Sequence, residues 1–242
     1  MHKRLLQLLR DNAQREPQPL RMEQTTEAAT LYLYDIIDPY WGVSAAEVVK
    51  QLAGLKGTPV NLRINSPGGD VFDGRAIASA IAQHGNVTAW IDGLAASAAT
   101  YVATAAKTVN MADGAFFMIH EAWTLAYGNK HDLANTVQLL DKIDQSILND
   151  YAKKTGQTTE QLSAWLAAET WFDATEAKDA GFIDAIVQAD ATQNIASNTW
   201  NLSAYDHTPK ALLEPKQKAP PEPDPEQLRA ACDRRLRLLT PI

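Results

Sequence analysis

Hydrophobic and polar positions alternate along this chain in two periods that take turns. Thr30-Leu31-Tyr32-Leu33-Tyr34-Asp35-Ile36 is rich in β-branched and aromatic residues and predicts a strand. Ser44-Ala45-Ala46-Glu47 has capping-box spacing, and Val48, Val49, Leu52 and Leu55 follow at helical spacing. Pro59-Val60-Asn61-Leu62-Arg63-Ile64-Asn65 alternates as a strand does, and Val71-Phe72 with Ala76–Ile81 returns to helix. Val87-Thr88-Ala89-Trp90-Ile91 is the next strand, and Tyr101–Ala106 reads as a buried helix. This strand-helix rhythm predicts βαβ units, right-handed crossovers and a largely parallel sheet, hence the α/β class. Asn110–Ala112 and Phe116–His120 read as two short strands with Asp113-Gly114 as a hairpin-type turn between them.

After Gly128 the pattern changes. Leu133, Val137, Leu140, Ile143, Ile147, Leu148 and Tyr151 share one helical face from Asn129 to Lys154, and Gly156 is placed to cap it. A helix of that length is expected to project from the core and to offer an oligomerisation face. Thr159–Ala168 predicts a shorter helix that ends at Glu169-Thr170-Trp171-Phe172. Ala174–Gly181 predicts another, and Phe182–Val187 a last strand. The periodicity fades beyond Gln188. The expected organisation is an N-terminal helix and arm over 1–25, a globular domain over 26–190, a flexible proline-rich linker over 191–226 and a basic amphipathic segment over 227–242. Met1–Arg10 reads as a short amphipathic helix, too short and too charged to span a membrane or direct secretion.

Composition narrows the function classes. A formal net charge of -7 is not a nucleic-acid footprint, and no Cys/His cluster offers a metal site. The lone Cys232 cannot form an internal disulfide, which suits a reducing cytoplasm.

The chemistry concentrates on three places. Ser97 stands between a strand end and a helix start among small residues, Gly93-Leu94-Ala95-Ala96-Ser97-Ala98-Ala99. It reads either as an N-cap or as a nucleophile at a helix start that favours developing negative charge. Ser66-Pro67-Gly68-Gly69-Asp70 is either a plain tight βα turn or one wall of an oxyanion hole, with a glycine N–H and the N–H following Ser97 as donors. A phosphate cradle lacks its lysine and its glycine spacing here. Of five histidines, His2 and His207 lie in flanking segments, while His84 and His131 read as solvated. His120 follows four apolar residues at a strand end and reads either as a core histidine or as a general base. Trp123 and Tyr127 read as groove or interface aromatics.

Ile64-Asn65-Ser66-Pro67-Gly68-Gly69, Gly93–Ser97, Met118-Ile119-His120 and Ala174–Asp184, in this order, resemble the Clp protease proteolytic subunit family. The resemblance implies a crotonase-like fold of repeated ββα/βαβ units, rings of subunits, and a protruding handle helix at Asn129–Lys154. It implies Ser97 as nucleophile, His120 as general base, Gly69 and Ala98 as oxyanion donors, and no metal or organic cofactor; Gly68 and Trp123 are the candidate substrate contacts. The third triad member departs from the family's pattern. Aligning the Ala174 helix puts Glu169 at the acid position, with Asp173 as the other acid and also a good N-cap. The Tyr40-Trp41-Gly42-Val43 and Glu169–Phe172 stretches, with the long C-terminal extension, look like the Clp-related head maturation proteases of tailed bacteriophages and prophages. That subtype implies scaffold or capsid proteins as substrates, in a bacterial or phage-infected cytoplasm or inside the prohead, and a linker open to self-cleavage. A housekeeping subunit working with an unfoldase ATPase, an inactive crotonase-fold ring scaffold and an acyl-CoA enzyme are the alternatives.

Overall fold

The computed structural model describes residues 20–188, 202 and 205–213. Most of the expected N-terminal helix, most of the linker, the basic C-terminal segment and Cys232 lie outside the described residues. Met1–Pro209 and Lys210–Ile242 are separate compact units, and a single helical turn at Lys210–Leu213 is what is described of the second.

The first unit is built on an eight-stranded sheet. β1 (Arg21–Gln24) pairs antiparallel with β2 (Ala29–Leu33). β3 (Val60–Ser66), β4 (Val87–Ala96) and β5 (Thr108–Ala112) continue it in parallel, and β8 (Ala185–Val187) closes the far edge. The sheet thus begins at Arg21, inside the stretch expected to be an arm. β2 and β3 as far as Ile64 bury alternate residues in full, as the sequence alternation requires, and Asn65 and Ser66 are both buried where β3 runs into the turn. Helices α1 (Ala45–Gly54) and α2 (Val71–His84) supply the crossovers. Ser44 and Asp70 cap them by accepting from backbone N–H groups of their first turns. His84 is not solvated as expected: its ring Nε2 contacts the Leu55 carbonyl at 2.9 Å, joining the end of α2 to the end of α1.

β4 is the element that positions everything else. Its first half, Thr88–Ile91, pairs with β5, and its second half, Leu94–Ala96, pairs with β6 (Phe116–Ile119). The hairpin expected at Asp113-Gly114 therefore does not form. Both short strands run parallel to β4, one after the other, and the turn hands the chain from one half of β4 to the other. β8 occupies the other edge of β5, where Asp113 N–H donates to the Val187 carbonyl. β7 (Thr170–Phe172), read from sequence as a helix end, pairs antiparallel with β6. Where β4 changes partner, its Asp92 carboxylate accepts from both Arg63 on β3 and the Tyr34 hydroxyl, the latter at 2.6 Å. Burial pushes the Asp92 carboxyl up, against the pull of Arg63 and Tyr34.

The core beneath β6 is aromatic. Phe182 lies 4.8 Å from Phe117, 5.4 Å from Tyr151 and 5.4 Å from Phe172, ring centre to ring centre, and is fully buried. The last strand is shorter than predicted because Phe182 and Ile183 enter this core before β8 begins. Phe182→Ala is expected to cost about 3–5 kcal/mol of unfolding free energy, read as a lower denaturant midpoint with little change in slope.

Helix α4 (Lys130–Thr155) is capped by a reciprocal Asn129–Asp132 box and ended by Gly156 at φ +70. Its first half keeps Leu133 and Val137 exposed, while Ile147 and Tyr151 in its second half are buried. Helices α5 (Thr159–Ala167) and α6 (Ala174–Asp179) bring the chain back to β7 and β8.

Candidate active site

β4 ends at Ala96 and α3 (Ala98–Thr104) begins at Ala98, so the chain must turn sharply at Ser97. Ser97 takes φ 52 and ψ −125, a left-handed geometry costly for a residue with a Cβ. Its side chain makes no cap bond to α3, so the N-cap reading is not realised. The register explains the turn's placement. Ala96 lies opposite Met118 on β6, and Ser97 N–H donates to the Met118 carbonyl at 2.9 Å. His120 leaves β6 two residues later, and its Nε2 comes to 2.8 Å from Ser97 Oγ.

A second layer fixes the elbow. Thr100 donates its one hydroxyl proton to the Ser97 carbonyl, so the Tyr151 hydroxyl must be the donor in its 2.5 Å bond to Thr100 Oγ1. Tyr151 comes from α4 and is buried, so the long helix reaches the nucleophile's own carbonyl through two hydroxyls. After His120, Glu121 N–H donates to the Leu166 carbonyl, and Ala122 N–H donates to Asp144 of α4 at 2.7 Å. The imidazole is thus tied to α4 and α5 on its C-terminal side.

Burial drives the His120 pKa down to about 4, opposed by the Glu169 charge and the Glu121 backbone. The ring is neutral at neutral pH. With the ring proton on Nδ1, the Ser97 hydroxyl donates to Nε2. This is the arrangement in which the imidazole can accept the serine proton.

The diglycine turn is held from beneath. Ser66 Oγ donates to the Asp35 carbonyl at 2.7 Å and accepts from Gly68 N–H at 3.2 Å. Ile37 N–H donates to the Gly68 carbonyl, and Asp70 N–H donates to the Ile37 carbonyl. In such a parallel bridge the middle residue's own N–H faces the other way, so Gly69 N–H points to the side opposite Ile37. Ala98 opens α3, where first-turn N–H groups have no partner within the helix. Gly68 has φ +92, and a Cβ there would stand 2.7 Å from Ser97 Cβ and 2.9 Å from Ala98 N. The turn and the elbow are in contact with no room for a side chain between them.

Ser97, His120, Gly69, Trp41, Trp123 and Tyr205 all line one cleft of about 370 Å³. Trp123 lines this cleft, and Tyr127 is almost fully exposed. The two candidate acids part company. Asp173 is exposed and caps α6 in a reciprocal box with Glu176. Glu169, at φ 48, is close enough for its charge to raise the His120 pKa. Among the described residues no hydrogen bond joins the two. The Glu169 carboxylate instead accepts from Trp171 Nε1 at 3.2 Å, Asp206 N–H at 2.9 Å and His207 N–H at 2.8 Å.

Tyr205 is the residue that sequence reasoning missed. It lies in a stretch of faded periodicity, yet its hydroxyl donates to the Pro67 carbonyl at 2.7 Å and its ring meets His120 edge-on at 5.4 Å. Thr100 and Tyr151 were missed too, since each reads as an ordinary core position at helical spacing.

Comparison with known proteins follows the same geometry. A family model described as Clp protease matches residues 23–190. The ATP-dependent Clp protease proteolytic subunit 1 of Chlamydia abortus is 32% identical over 164 residues, 62% of this chain and 83% of that protein. Subunit 3 of Streptomyces coelicolor is 33% identical over 155 residues, 61% of this chain and 71% of its own length. A solved ClpP1 point mutant from Listeria monocytogenes shares the fold with a TM-score of 0.59 and 25% identity, covering 76% of this chain and 96% of its own.

Proposed function

The chain belongs to the Clp protease family, whose members are serine peptidases, and from that premise we propose that it is a serine endopeptidase using Ser97 and His120. His120 Nε2 takes the Ser97 proton as Oγ attacks the peptide carbonyl. The N–H groups of Gly69 and Ala98 receive the oxyanion, and His120 returns the proton to the leaving amine before water releases the acyl group. Glu169 is the acid that stabilises the imidazolium formed on the way. The observation that carries this reading is the 2.8 Å contact between Ser97 Oγ and an imidazole that burial keeps neutral. Fluorophosphonate labelling followed by peptide mapping tests it: the label is expected on Ser97, and a label elsewhere or none at all counts against it.

The titration of His120 gives a sharper expectation. In the structure described, labelling of Ser97 should hold steady from pH 8 through pH 6 and decline only toward pH 4. An unshifted imidazole would lose the activity near pH 6.5. The same shift bears on stability. Between pH 6.5 and about 4 the unfolded chain binds a proton at this site that the folded chain does not. Stability therefore falls as pH drops through that window. His120→Gln is expected to flatten this part of a melting-temperature profile.

As to role, the reading extends to assembly into a homo-oligomeric ring and to processing of scaffold or capsid proteins in a phage head. Support comes from the chain beyond residue 190, which the family model does not cover and which sends Tyr205 into the cleft. The linker is proposed as a self-cleavage region, and mass spectrometry of the native and Ser97→Ala chains should then show different C-termini. The housekeeping reading, with an unfoldase ATPase as partner, is favoured by relatives that are themselves named ATP-dependent. Capture of a host unfoldase by the assembled protein separates it from the phage reading.

A further inference from the structure

The cleft holds a ligand of this chain's own making. Tyr205 inserts between the diglycine turn and His120: its hydroxyl is bonded to the Pro67 carbonyl, and the Ser97 hydroxyl lies beside the same phenol oxygen. Its ring also meets Trp171 at 5.9 Å, so it is held by His120, just past β6, and by β7 together. The two residues that follow give both of their backbone N–H groups to one carboxylate, that of Glu169. The segment is closed on itself by Thr208, whose single O–H is shared between the Leu202 carbonyl at 3.1 Å and the Tyr205 carbonyl at 3.2 Å, and Leu202 is buried.

These contacts have a chemical consequence. Asp206 and His207 lie in a turn, where consecutive backbone N–H groups converge on one acceptor, so Glu169 anchors the turn that carries Tyr205 beside the nucleophile. What stands against Ser97 here is a side chain, not a carbonyl, so the segment crowds the catalytic pair from one wall of the cleft without presenting a bond to cut. Both Glu169 oxygens are engaged with Trp171 and this segment, and neither is bonded to His120.

We propose that Tyr205–Thr208 is an internal pseudosubstrate: it occupies the active-site cleft in cis and holds Glu169 away from His120, and its departure opens the cleft and releases Glu169 to the imidazole. The proposal rests on the reading of Ser97 and His120 as the catalytic pair. It also assigns Glu169 a second role, as the anchor for this segment's N–H groups, that the triad reading alone does not contain.

The test uses the full-length chain and three variants. Tyr205→Ala empties the space over His120, while Asp206→Pro and His207→Pro each delete one N–H donated to Glu169. A site open for only a fraction of the time reacts at that fraction of its full rate, so fluorophosphonate labelling of Ser97 and hydrolysis of a short fluorogenic peptide should rise about tenfold or more in each variant. Amide hydrogen exchange supplies a readout that does not depend on activity. Asp206 and His207 amides should be protected in the native chain and lose that protection in Glu169→Gln, whose amide is a weaker acceptor. If the native chain labels at Ser97 and all three folded variants label at the same rate, the pseudosubstrate is disproved while the peptidase reading stands. If no folded form labels at Ser97, both fall together. Unchanged amide protection in Glu169→Gln removes Glu169 as the anchor.

Discussion

Ser97→Ala is expected to lower peptide hydrolysis by about 10⁴-fold or more and to abolish fluorophosphonate labelling, with the melting temperature little changed. His120→Ala should cost about as much, and the double variant no more than either alone, because the two act as one unit through the 2.8 Å contact between them. Measuring the set in the Tyr205→Ala background as well as in the native chain separates loss of chemistry from occlusion of the cleft. The backbone adds a second signature. Ser97 sits at φ 52, and alanine inherits that strain, whereas glycine does not. Ser97→Gly should therefore be as inactive as Ser97→Ala yet more stable by about 1 kcal/mol, visible as a higher melting temperature. A Ser97→Ala chain that retains ordinary turnover would end the case for this serine as nucleophile.

The second large effect is expected from a residue with no side chain at all. Gly68→Ala puts a methyl group 2.6 Å from the Ala96 carbonyl, 2.7 Å from Ser97 Cβ and 2.9 Å from Ala98 N, at φ +92. Two of those atoms are backbone, and the third belongs to the proposed nucleophile, so the strain cannot be relieved by turning a flexible side chain aside. The elbow must move, and with it the proposed oxyanion donor at Ala98. A loss of about 10²–10³-fold in kcat is expected, the size seen when one oxyanion donor is removed, together with a lower melting temperature. Gly54→Ala is the control. A methyl there meets nothing within 4 Å, and the position lies at the end of α1, so activity should be unaffected and stability equal or slightly higher. Equal behaviour of the two variants would show that the turn and the elbow are not coupled.

The sequence carried much of this before any coordinates. Capping residues at Ser44 and Asp173 and the αL glycine at Gly156 mark helix boundaries by local chemistry, and the helices begin or end there. Alternation over Val60–Ile64 marks a strand that buries every second side chain in full. Short strands were harder. Three residues at Thr170–Phe172 are too few to show a period, and their pairing with β6 is a property of β6. The hairpin expected at Asp113-Gly114 failed for a related reason: a turn signal states where the chain bends, not which partner it meets next. Of the two readings of Ser97, the side-chain cap is not made: the residue stands at the head of the helix with a positive φ, and its hydroxyl meets the imidazole instead.

Local order is therefore what this sequence determines by itself. It sets the alternating α/β rhythm, the helix ends, the small residues around Ser97 and the set Gly68, Gly69, Ser97 and His120 from which a site is made. Each follows from interactions within a few residues, where composition and spacing suffice. The tertiary structure decided how those pieces meet. The two-partner fork of β4 sets Ser97 against His120, and the Tyr151–Thr100 pair locks the elbow from a helix far along the chain. Glu169 was legible as an acid near the site, but not as one already taken by the N–H groups of Asp206 and His207. Nor was Tyr205 legible, since its place over His120 comes from contacts across the chain that no local periodicity encodes.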